Sequence, residues 1–193
     1  LLLLCPFTVA AQSKTYREDF TTNKNKWFVG DDEYYVTVLE NGFYTIECKQ
    51  ESKPTRNIAI AYGKIDLNKA FDIEARIKVV SAKGVQNSFG IAIGEKDRNN
   101  SYCYVISPEL KMSWWYHIQS GRNTVVKNEP LLPTIFKSDD PATGTKFFIK
   151  HRDGTIYFYL NDILITKVAR PSTGWMGNGI GIFTNPGVKL VVD

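Results

Sequence analysis

Histidine and cysteine are scarce, with two and three in 193 residues. No His-Glu-x-x-His pair, no cysteine pair at zinc spacing and no Gly-x-Ser-x-Gly elbow occurs. The common zinc-hydrolase and α/β-hydrolase signatures are therefore excluded. No Gly-rich loop opens a helix, which removes the usual phosphate cradle. Lys and Arg never run to five in a row, and the net charge of +4, from 24 basic and 20 acidic residues, is scattered along the chain. That excludes a nucleic-acid stripe and a polybasic membrane patch. Apolar runs stay well short of the roughly 20 residues a membrane-spanning helix needs. Helical periodicity is missing as well, since no long window keeps apolar residues at the 3, 4, 7 spacing.

What remains is rich in rings. Ten Tyr, eleven Phe and four Trp make 13% of the chain, a composition that suits pleated surfaces and leaves rings over for binding. Phe71 to Val80 alternates most cleanly, with Phe71, Ile73, Ala75, Ile77 and Val79 on one face and Asp72, Glu74, Arg76 and Lys78 on the other. Strands are expected over Tyr34 to Leu39, Phe43 to Lys49, Asn57 to Tyr62, Ser88 to Gly94, Tyr102 to Ile106 and Lys111 to Gln119. Further strands follow over Asn123 to Lys127, Lys146 to His151, Thr155 to Leu160, Ile163 to Ala169, Gly179 to Phe183 and Val188 to Val192. Asn41-Gly42, Asp153-Gly154 and Asn161-Asp162 supply tight hairpin turns between them. The span from Asn128 to Gly144 reads as the longest irregular loop. About twelve to fourteen strands without intervening helices predict an all-β, two-sheet antiparallel sandwich in a single domain.

The first eleven residues differ in kind. Leu1 to Phe7 is apolar and uncharged, and Val9-Ala10-Ala11 offers small residues at the spacing a signal peptidase reads. Residues 1–11 are expected to be the remnant of a secretory signal peptide, with the mature domain starting at Gln12 and lying in the periplasm, at the cell surface or outside the cell. Leu4 before Cys5 argues against a lipoprotein signal. Two cysteines remain, Cys48 and Cys103, each within an apolar stretch. Two buried thiols and one disulfide both fit.

Several stretches in order resemble the concanavalin A-like (laminin-G-like) superfamily. They are Asp19-Phe20, Trp27 and Gly30, Asn41 to Ile46, Phe89-Gly90-Ile91, Asp97 with Asn99-Asn100, Tyr102 to Ile106, Tyr157 to Asp162, Gly179 to Ile182 and a final Asp193. The resemblance spans nearly all of Asp19 to Asp193 and implies a jelly roll with one concave sheet. Its members include glycan-binding modules, glycoside hydrolases, modules similar to 3-keto-disaccharide hydrolases, and accessory domains. It also implies a structural Ca2+ near the chain ends, with Asp193 and Asp19 as ligands. No other cofactor is expected.

The glucanase-type Glu-x-Asp-x-x-Glu strand is absent. Asp72 and Glu74 share a face with Arg76 and Lys78, the pattern of a salt-bridged surface. The strongest site-like feature is Trp114-Trp115-Tyr116-His117. Strand parity puts Trp115 and His117 together with Ser113 and Gln119, and assigns Met112, Trp114, Tyr116 and Ile118 to the core. The expected ligand platform is accordingly Trp115 with His117, joined on the concave face by Arg76, Tyr104, Arg152, Tyr157 and Tyr159. Trp27 is expected to plug the core, and Trp175 to sit at a rim. The reading is an exported, non-catalytic module for a polysaccharide or glycan. A glycoside-active hydrolase of the 3-keto-disaccharide hydrolase type and a structural domain that mediates assembly in a larger protein are the alternatives, and a protein partner is also open.

Overall fold

The computed structural model describes residues 18–49, 57–61, 65–83, 87–137 and 144–193. The proposed leader, the Pro54 loop and residues 138–143 of the irregular loop fall outside the described residues. The strands are β1 (Gly30–Asp31), β2 (Tyr35–Glu40), β3 (Phe43–Cys48), β4 (Asn57–Ala61), β5 (Phe71–Ala82), β6 (Phe89–Asp97) and β7 (Asn100–Ser107). They continue as β8 (Met112–Gln119), β9 (Arg122–Pro130), β10 (Thr145–Arg152), β11 (Thr155–Leu160), β12 (Ile163–Ala169), β13 (Gly179–Thr184) and β14 (Val188–Val192). Among the described residues a short helix, α1 (Pro133–Lys137), lies where the sequence suggested only loop. β9 also runs past the expected Lys127 to Pro130, shortening that loop from its start.

Two antiparallel sheets form. The eight-stranded sheet has the order β1-β2-β3-β14-β5-β10-β11-β12, and the six-stranded sheet the order β4-β13-β6-β7-β8-β9. Asn41-Gly42, Asp153-Gly154 and Asn161-Asp162 all take the left-handed conformation that twists a two-residue turn to match its strands. β5 keeps its predicted alternation, with Phe71, Ile73 and Ile77 buried and Asp72 and Glu74 exposed.

The core lies between the sheets and is largely aromatic. Tyr104 stacks on Phe158 at 4.3 Å, Trp115 tilts over Phe158 at 4.9 Å, and Phe89 meets Phe147 edge-on at 5.9 Å. Each fully buried ring of this kind stabilises the fold by about 2–3 kcal/mol. Trp27 is buried against Phe20 and Tyr44, as expected of a plug. Cys48 and Cys103 are both buried, one in each sheet, and are not bonded to each other. No helix among the described residues is long and apolar enough to cross a membrane.

Candidate functional site

Register fixes what the outer face of the six-stranded sheet presents. Residues opposite one another on neighbouring strands share a face. Pairing therefore reads across this sheet in rows. One row is Phe183, Gly90, Val105, Trp114 and Asn128. The next is Gly181, Ala92, Cys103, Tyr116 and Val125. Ala92, Cys103, Val105, Ile118 and Phe183 form an apolar cluster separate from the main core, with Tyr116 packed against it. Trp114 and Tyr116 rise beside this floor with ring centroids 6.2 Å apart and planes only 15° from parallel. Both are half-buried, while Asn128 and Val125 on β9 are exposed.

A third row is polar. The register of β6 shifts between Ile93 and Asp97 on one side and opposite Gly179/Ile180 on the other. Gly94 is the inserted residue, at φ 67°. Such a bulge re-aims the side chain that follows it. Ile93 pairs with Ile180 on the core side, whereas Glu95 pairs with Gly179, which is outward-facing with Gly181 and Phe183. A Cβ on Gly179 would stand 3.3 Å from the Glu95 Cβ, which is consistent with a shared face. On the other flank residues 94–96 lie opposite Ser101, and Ser101 continues the row to Ile118 and Asn123.

Glu95 is 4% exposed, and neither of its carboxyl oxygens has a hydrogen-bond partner. Burial, reinforced by the charge of Asp97 and opposed by Arg98, pushes its pKa up to about 8. Its carboxyl therefore holds a proton at neutral pH. The side-chain amide of Asn123 is likewise buried without a partner. Asp97, by contrast, is engaged at the hairpin turn by the Asn99 amide at 2.8 Å and by Asn100 Nδ2 at 2.8 Å.

The residues singled out from the sequence do not come together. Trp115 is 2% exposed and Tyr104 fully buried, both between the sheets, so the parity assigned to β8 is corrected. Trp114 and Tyr116 hold the outer face instead. The reason is that the polar members of the inner set are already satisfied or stacked. Ser113 Oγ donates to the Glu129 carbonyl at 3.3 Å, and His117 stacks on Tyr102 at 4.7 Å. Tyr102 in turn stacks on Trp115 at 5.5 Å, so His117 ends an inner column of rings. Arg76, Arg152, Tyr157 and Tyr159 lie across the molecule, on the outer face of the eight-stranded sheet. There Arg152 pairs with Asp72 at 2.7 Å and Tyr159 packs on Phe148 at 5.5 Å. That face is a solvated, ion-paired surface.

Asp19 and Asp193 were the expected calcium ligands. The Asp19 carboxylate accepts from the Thr21 hydroxyl at 2.8 Å and its amide at 3.1 Å, which lowers its pKa, and it pairs with Lys24. Asp193 extends β14 by exchanging main-chain hydrogen bonds with Arg76. Among the described residues no three His, Cys, Asp or Glu side chains converge. Calcium takes about six to eight oxygens, so these two carboxylates fit it poorly without several main-chain carbonyls.

With rows and core in place, the architecture is a two-sheet antiparallel jelly-roll sandwich. It superposes on a carbohydrate-binding module from Bacillus subtilis with a TM-score of 0.59 at 11% identity, covering 82% of this chain and 87% of that one. The CBM2 module of the evolved Dit protein of Lactobacillus casei BL23 phage J-1 matches at 0.56 and 12%, over 92% and 91%. The catalytic domain of an endo-1,3-beta-glucanase (laminarinase) from Thermotoga petrophila RKU-1 matches at 0.51 and 15%, over 84% and 79%. At such identities the likeness defines the fold. No family model matches the chain, and no curated protein does.

Proposed function

We propose that the chain is a non-catalytic carbohydrate-binding module whose ligand lies on the outer face of the six-stranded sheet, against Trp114 and Tyr116. The observation that carries this reading is the near-parallel ring pair, half-buried beside the exposed Asn128. Aromatic faces meet the C–H side of a sugar ring, and an amide meets its hydroxyls. The carbohydrate-binding modules that share this fold support the same use of it.

Binding is favoured over cleavage by a count of carboxylates. A retaining glycosidase needs two, about 5 Å apart. The outward strand positions of this sheet, among the described residues, hold Glu95, while Asp97 is tied up at the turn. A protein partner is the second reading. It is favoured by Val125 and Val126, which are 52% and 53% exposed on the edge strand β9. The apolar run from Leu1 to Phe7 and the small residues before Gln12 support an exported setting, where extracellular glycans would be the ligands.

Affinity electrophoresis through gels containing β-glucan, xylan, mannan or fructan tests the reading. The wild-type chain is expected to be retarded by at least one polymer, and Trp114→Ala and Tyr116→Ala to run freely while keeping their circular dichroism. Equal retardation of all three proteins would remove the outer-face platform.

A further inference from the structure

A second region has the makings of a binding site, at one end of the sandwich and away from the ring pair on β8. An open cleft of about 720 Å3 lies between residues 65–68 and 174–178. Trp175 forms part of its wall and is half-buried.

The indole is held from several directions. Its Nε1 donates to the Leu67 carbonyl at 2.9 Å. Phe71 meets it edge-on at 6.2 Å, and Tyr102 at 5.5 Å. Gly94 lies under its six-membered ring, where an added Cβ would come within 2.5 Å of Cε3 and 3.4 Å of Cζ3. The glycine that inserts the bulge thus also seats the tryptophan. A ring fixed in this way loses little conformational freedom when a ligand arrives.

The rest of the lining selects the ligand class. Among the described residues that line the cleft there is no Lys or Arg. Among the described lining residues the one carboxylate is Asp66, which accepts from the Asn68 amide at 3.2 Å and pairs with Lys69 at 3.5 Å. Asn68 and Asn178 are exposed, whereas the half-buried Gly174 and Gly177 donate their amides to the Pro171 and Gly94 carbonyls at 3.0 and 2.9 Å. One aromatic surface and two exposed amides suit a neutral, hydroxyl-bearing ring.

We propose that this cleft is a second sugar subsite, in which a neutral saccharide unit packs on the indole of Trp175 and hydrogen-bonds to Asn68 and Asn178. The inference rests on the carbohydrate reading above and adds a second point of contact to it. A ligand long enough to touch both would gain affinity through linkage.

Amide NMR titrations with laminari-, xylo-, manno- and fructo-oligosaccharides separate the outcomes. At least one ligand is expected to shift the amides of Gly174, Gly177 and Asn178 and the Trp175 indole signal, as well as β8 and β9. Asn178→Trp, which fills the cleft from an exposed position, should weaken that ligand by about tenfold, the scale of losing one aromatic contact. Trp175→Ala should do the same, with thermal melting reporting whether its core contacts survive. Shifts confined to β8 and β9, or unchanged affinity in Asn178→Trp, would overturn the second subsite and leave the platform standing. No shift with any of the four ligands would remove both.

Discussion

The buried carboxyl of Glu95 makes the stability of this fold depend on pH in a direction that can be worked out. Its pKa rises from 4.5 to about 8 on folding, chiefly through burial. Below pH 4.5 the group is protonated in both states and costs nothing. As pH rises from there, the unfolded chain releases its proton while the folded chain keeps it. Stability then falls by about 1.4 kcal/mol per pH unit. Above pH 8 both states are ionised and the loss levels off, near 5 kcal/mol in all on the order of this shift. That is a large share of the ~5–15 kcal/mol by which domains are stable. Urea denaturation at pH 5, 7 and 9 reads it directly, as a fall of roughly 2 M in the midpoint for a domain of this size. Glu95→Gln keeps a polar, unpartnered side chain but cannot ionise. Its midpoint should stay nearly level over the same range, so that the variant becomes the more stable protein at pH 9. Parallel loss of stability in the two proteins would refute the assignment, because the pH dependence would then belong to other groups.

Trp115→Ala should cost about 3–5 kcal/mol by emptying the inner ring column, whereas Trp114→Ala should cost under about 1.5 kcal/mol; thermal or urea melts distinguish them. Gly94→Ala meets both an unfavourable positive φ and the Trp175 ring, so a loss of about 2 kcal/mol or more is expected, visible as a lower melting temperature. Cys48 and Cys103 should resist alkylation in the native protein and react fully in denaturant, as peptide mapping by mass spectrometry would show.

Strands, hairpins and the sandwich were legible because alternation and turn chemistry are local. β5 declares its two faces by charge alone, and the Asn41-Gly42, Asp153-Gly154 and Asn161-Asp162 turns sit where their φ preferences require. The site was harder to read for a reason specific to β8. Trp114, Trp115 and Tyr116 put a large ring on each face, so neither parity is marked as core by hydrophobicity. Only the partner strand decides. Tyr102 and Tyr104 pair with His117 and Trp115 and take them inward, and that register is not visible along one segment. Glu95 was missed because an apolar run ending in Gly94 looks like the end of a strand. The glycine marks a bulge instead, and the strand continues beyond it. Arg76, Arg152, Tyr157 and Tyr159 share one face of one sheet as their parity suggests, but which sheet binds a ligand is a matter of tertiary arrangement.

The most direct test of the central claim is an isothermal titration of the chain with whichever oligosaccharide its gel-retarding polymer supplies. It should be run on wild type, Trp114→Ala and Tyr116→Ala at one pH. Wild type is expected to give measurable heat, and each variant to lose at least about tenfold in affinity with an unchanged melting curve. Undiminished binding by both folded variants would contradict the outer-face platform.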